Sequence, residues 1–139
     1  MMKYHFKVVR EKQGFTAWCD ELKDCFTCGD DEHELSRNMA EVLNLYLDTY
    51  PENKIIPAPG KKKAGMVEVG VEPHIAFSIL LKNARLAHGL SQVETARRLG
   101  IENVFSYQRL EKRTPPTFKN LARVKKLFPE ISLDAIFNT

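Results

Sequence analysis

Three groups of side chains in this 139-residue sequence are of types that do chemistry. Between Ser91 and Arg113, amide, hydroxyl and cationic side chains are interleaved with apolar ones. Arginine forms bidentate hydrogen bonds with guanine, apolar groups pack on the thymine methyl, and cations or helix N-termini hold phosphates. That mixture suits a nucleic acid. A second group, Cys25-x-x-Cys28 with His33 and Cys19, has spacing that could suit zinc. A lone Cys-x-x-Cys within a strand does not make a zinc site, however, and buried thiols are the better reading. The third group is carboxylates: Asp20, Asp24, Asp30 and Glu41 could be imagined around two metal ions, as in a nuclease. The first two strands offer no inward-facing pair of acids, so no catalytic residue, metal or cofactor is assigned and the chain does not read as an enzyme.

The elements that must position these groups follow from periodicity. Tyr4, Phe6 and Val8 alternate with His5, Lys7 and Val9, and Phe15, Ala17 and Cys19 alternate with Thr16, Trp18 and Asp20. The two runs form a hairpin around Gly14, and a short third strand is expected at Cys25–Cys28. Asp30 or Asp31 then caps an amphipathic helix carrying Leu35, Met39, Val42, Leu43, Tyr46, Leu47 and Tyr50, which Pro51 stops. Prolines and glycines punctuate residues 51–65, and Met66–Val71 alternates again as a possible last strand.

From Ile75 the pattern becomes helical. Ile75–His88 ends at Gly89, and Ser91 with Glu94 forms a capping box for a second helix ending at Gly100. Asn103 caps a third helix, Thr117 a fourth stopped by Pro129, and Ser132 a fifth. Two short helices joined by a glycine turn are the helix-turn-helix signature. Val93, Leu99, Tyr107 and Leu110 are expected to wedge the third helix outward, with Ala96 at the close crossing. Arg97, Arg98, Lys125 and Lys126 read as a solvated face.

Charge divides the chain. Residues 1–60 hold seven basic against eleven acidic side chains, net −4, and residues 61–139 hold fourteen against seven, net +7. The basic half suits a polyanion and the acidic half a basic protein. No run is long and apolar enough for a membrane span, and the first residues lack the apolar core of a signal peptide. Three cysteines do not suggest a disulfide framework. A cytoplasmic location is the expectation.

Leu81–Gly100, with Tyr107-Gln108-Arg109-Leu110-Glu111, resembles the lambda-repressor-like (Xre-type) helix-turn-helix family. The resemblance implies a third helix in the DNA major groove. Carried over by position, Asn103, Val104, Phe105, Ser106, Gln108 and Arg109 would lie at base edges, and Gln92, Lys112 and Arg113 at phosphates. Ile101-Glu102-Asn103-Val104 is longer than the family's turn by one residue and the segment after Glu111 shorter by one. The register of base contacts is therefore open by about one position.

In the first half, Gly14-Phe15-Thr16-Ala17-Trp18, Asp20-Glu21-Leu22, Cys25-x-x-x-Gly29 and Ile56-Pro57-x-Pro59 resemble the HicB antitoxins. The family's prolines around Asp20–Lys23 are missing, and Asp30 and Asp31 stand where a threonine is common. That resemblance implies a partial RNase H-like domain without nuclease activity. It also implies a partner, a small basic HicA-like toxin that cleaves RNA. Trp18, Asp20, Glu21 and Asp24 are the candidate contacts. The expected fold class is α+β: a β-β-β-α-β partial RNase H-like domain (residues 1–72) followed by an all-α five-helix helix-turn-helix domain (residues 73–139). The expected function is a type II antitoxin that occludes its toxin and, as a homodimer or higher even oligomer, represses its operon from operator DNA. The alternative is a stand-alone regulator whose first domain senses a ligand or drives assembly.

Overall fold

The computed structural model describes residues 2–112 and 114–137. Along the chain run β1 (Lys3–Arg10), β2 (Phe15–Cys19), β3 (Phe26–Gly29), α1 (Glu32–Asp48), β4 (Val67–Gly70), α2 (Pro73–Ala87), α3 (Gln92–Arg98), α4 (Val104–Leu110) and α5 (Phe118–Leu127). They form two units. The first holds the sheet and α1, and the second holds residues 50–56 with α2 to α5.

In the first unit the strand order is β3-β2-β1-β4, with all neighbours antiparallel. Strand alternation sends Tyr4, Phe6 and Ala17 to one face, where they are fully buried. The apolar stripe of α1, Leu35, Met39, Leu43 and Leu47, covers the sheet. Asp31 starts that helix by accepting the Glu34 N–H at 2.8 Å. Gly29 ends β3 where α1 begins, and a Cβ there would lie 2.6 Å from the Leu35 nitrogen. Only glycine allows that close approach.

The second unit has a core built from every one of its helices. Phe77, Leu81 and Ala84 of α2 meet Ala96 and Leu99 around α3, Tyr107 and Leu110 of α4, and Val124 of α5. Phe128, Ile131 and Ile136 close it.

This architecture corrects the expected fold class. Strands and helices interleave along the chain instead of falling into a strand-built domain and then an all-helical one. The chain leaves the sheet unit after Thr49, runs through the helical unit for Tyr50–Ile56, and returns for Pro57–Val71. Buried Lys82 and Arg85 and half-buried Asn83 of α2 explain the detour. Asn83 pairs with both the N–H and the carbonyl of Ile56, at 2.9 and 3.1 Å. Lys82 donates to the Pro51 carbonyl at 3.0 Å and Arg85 to that of Glu52 at 2.9 Å. Inward-facing polar groups require such partners. The fifth helix expected after Ser132 is also absent among the described residues. Residues 131–137 form turns, held by Ile136 N–H to Leu133 carbonyl at 3.1 Å. Lys125, expected on a solvated face, is half-buried and donates to the carbonyls of Pro129 and Ile131 at 2.7 and 2.6 Å.

Among the described residues, no helix is long and apolar enough to cross a membrane.

Candidate nucleic-acid interface

The segment from α3 to α4 is fixed by its end groups. Ser91 Oγ accepts the Glu94 N–H at 3.0 Å while Glu94 Oε1 accepts the Ser91 N–H at 3.2 Å. Those hydrogen bonds from Ser91 hold the Glu94 carboxyl below its usual range. At the other end of α3, Gly100 donates to Arg97 at 3.1 Å and Ile101 to Ala96 at 2.8 Å. This pair of bonds is a Schellman close, and it needs the left-handed backbone that Gly100 adopts at φ 75°. Asn103 Oδ1 then accepts the Phe105 N–H at 2.8 Å and starts α4.

Beneath α4 lies a buried polar network. Arg85 grips Glu111 with Nε at 2.6 Å and Nη2 at 3.0 Å. Both side chains are almost fully enclosed. The Tyr107 hydroxyl donates to the same carboxylate. Burial first, and then the Glu111 charge, push that phenol well above its ordinary value. Gln92 donates to Glu111 at 3.2 Å and accepts from Gln108 Nε2 at 3.0 Å. A bidentate arginine–carboxylate pair is geometrically demanding. It sets the roll of α4 against α2 and α3.

That roll decides what faces outward. Tyr107 and Leu110 are buried, whereas Phe105 is 65% exposed and Asn103, Ser106, Arg109 and Lys112 are exposed. Val104, Gln108 and Gln92 are half-buried. Phe105, Ser106 and Arg109 share one side of α4 by helical spacing. Gln92 and Gln108 are joined to each other, so each is oriented by its partner. The Lys112 carbonyl accepts from Ser78 Oγ, leaving its exposed side chain outward. Arg113 lies outside the described residues. Val93, expected in the wedge, is 52% exposed instead. It lines a shallow groove with Ile101 and Val104, because Leu99, Tyr107 and Leu110 already fill the crossing at Ala96.

The pairing of Arg85 with Glu111 was missed at the sequence level. Its signal was an arginine on the inward side of α2, beside Leu81 and Ala84, which must find a buried acceptor.

In the sheet unit the four other candidates part company. Trp18 is 41% exposed on β2, directly across from exposed Phe26 of β3. Asp24 is exposed in the following loop, at φ 62°. Asp20 is exposed but ion-paired with Lys63 at 2.5 Å. Glu21 turns inward and accepts from His5 N–H at 2.9 Å, His5 Nδ1 at 2.7 Å and Gly60 N–H at 2.8 Å. Burial alone would raise the Glu21 carboxyl, but these hydrogen bonds outweigh it and hold the group below its usual range. Glu21 therefore acts as an internal strut. His5, buried between Glu21 and Glu68, completes it. Cys19 and Cys25 are buried and Cys28 is exposed. Among the described residues no three His, Cys, Asp or Glu side chains converge on a point that could hold a metal ion.

Set against protein-family models and curated proteins, the chain matches none.

Proposed function

We propose that the helical unit binds double-stranded DNA, with α4 in the major groove, and that the protein is an antitoxin-type repressor of the cytoplasm. One observation carries the DNA reading: an outward face of Phe105, Ser106 and Arg109 on a helix whose roll is fixed by the enclosed Arg85–Glu111 pair. Arg109 has the reach and fork to read guanine, and Phe105 can pack on a thymine methyl. Lys112 and the start of α3 at Gln92 serve phosphates. A single seven-residue recognition helix reads few bases, so the protein acts as a dimer on a two-fold operator.

The antitoxin half of the reading rests on the resemblance to HicB antitoxins and on the acidic first part of the chain. Exposed Trp18 and Asp24 remain the natural contacts for a basic HicA-like toxin, whereas Glu21 is committed inside. A stand-alone regulator is the competing reading. Co-expression separates them. The full chain should rescue cells from a HicA-like toxin encoded beside it, and Arg109→Ala should rescue equally well while losing operator binding. Failure of rescue with operator binding intact would leave the stand-alone regulator.

A further inference from the structure

Cys19 and Cys25 face one another across the end of a hairpin. β2 and β3 pair Trp18 with Phe26, so the next rung sets Cys19 opposite Cys25. The Cys19 N–H donates to the Cys25 carbonyl at 2.8 Å, which continues the ladder. Directly opposed antiparallel residues have Cα atoms about 4.5–5.5 Å apart. That separation lies inside the roughly 4.4–6.8 Å a disulfide spans. Opposed residues also point to the same face, and both side chains are buried there.

We propose that Cys19 and Cys25 form an oxidation site, a dithiol that hydrogen peroxide converts into an intramolecular disulfide closing the loop of residues 20–24. The inference is independent of the proposed DNA and toxin binding.

The two sulfurs have distinct roles. Cys19 is the more accessible of the two, 7% exposed against 2% for Cys25. Its neighbour Cys25 holds the Cys19 thiol below its ordinary range, while Cys19 and burial raise Cys25. Cys19 is therefore the sulfur that meets the oxidant, and Cys25 resolves it. The Cys19 sulfur attacks one peroxide oxygen, the O–O bond breaks, and hydroxide leaves a sulfenic acid behind. The Cys25 sulfur then attacks the Cys19 sulfur, the S–O bond breaks, and the departing hydroxide takes the Cys25 proton as water. Two electrons pass from the two sulfurs to the peroxide. In a reducing compartment such a bond is transient and serves as a signal. The loop it would restrain carries Asp20, Glu21 and Asp24.

The test uses the full chain with the exposed third cysteine removed, Cys28→Ser, treated with dilute hydrogen peroxide. The expected product is a monomer lighter by about 2 Da, restored by dithiothreitol, with a peptide cross-linked between positions 19 and 25. An unchanged mass overturns the proposal, as do gains of about 16 Da without that cross-link. Adding Cys25→Ser tests the roles: dimedone should then trap a sulfenic acid at position 19. Absence of the adduct in the folded variant overturns the assignment of Cys19 as the attacking thiol. The mass result on Cys28→Ser decides the disulfide by itself if the second variant does not fold.

Discussion

Glu111 holds together the network beneath α4: Arg85, Tyr107 and Gln92 all donate to its carboxylate. Removing it leaves the Arg85 charge buried without its counter-ion. Glu111→Ala should therefore cost about 3–5 kcal/mol in urea unfolding. A loss under about 1 kcal/mol would show that solvent replaces the carboxylate freely. Arg109 is the opposite case, exposed and without a fold-holding role in the core. Arg109→Ala should leave unfolding unchanged and weaken operator binding by about 1–3 kcal/mol, with discrimination lost at one base pair. Equal affinity in a competition assay would mean α4 is not the reading helix. Glu21 makes a pH prediction. Its folded carboxyl sits below the unfolded value, so its stabilising effect is complete above the ordinary glutamate range and fades as pH falls through the folded value. Between pH 7 and acid conditions below about pH 4, the wild type should lose more stability than Glu21→Gln. Parallel curves for the two proteins would remove Glu21 from the acid response.

At the scale of elements, the helix-turn-helix depends on its ends more than on its length. α3 and α4 have seven residues each, too short to hold themselves in water. Caps and core contacts therefore determine them. Gly100→Ala keeps enough space, since the nearest atom to a new Cβ would be Arg123 Nη1 at 3.8 Å. The cost comes from the left-handed backbone alone, about 1–2 kcal/mol, read as a lower melting temperature of the full chain. An unchanged melting temperature would mean that the turn relaxes to another conformation. These ends were legible beforehand, because Ser91, Asn103 and Thr117 each precede a periodic run and each accepts from a helix N–H. The outward turn of Val93 was not legible. Its spacing matches the core stripe, and only the prior filling of the crossing by Leu99, Tyr107 and Leu110 excludes it. Phe118, also on an apolar period, is 91% exposed at the start of α5.

For the whole molecule, the net +7 of residues 61–139 means that the proposed DNA binding should weaken with salt. Log affinity should fall linearly with log salt, by about 0.9 for each phosphate neutralised, and Lys112→Ala should reduce the slope by about one. A slope unchanged by that substitution would remove Lys112 from the phosphate contacts. By itself the sequence determined most local elements: period-two runs became strands, the longer 3.6-period runs became helices, and cap residues marked the starts of α1, α3, α4 and α5. These are short-range effects of backbone geometry and neighbouring side chains. The tertiary structure decided the rest. It drew Tyr50–Ile56 into the helical unit because Lys82, Asn83 and Arg85 needed buried partners there. It turned the segment after Ser132 into turns held by Ser132 Oγ and the Leu133 carbonyl, and it withdrew Glu21 from the surface to receive hydrogen bonds from His5 and Gly60. Pairing of buried polar groups joins residues 16 to 39 positions apart, and no local pattern encodes which distant group will be the partner.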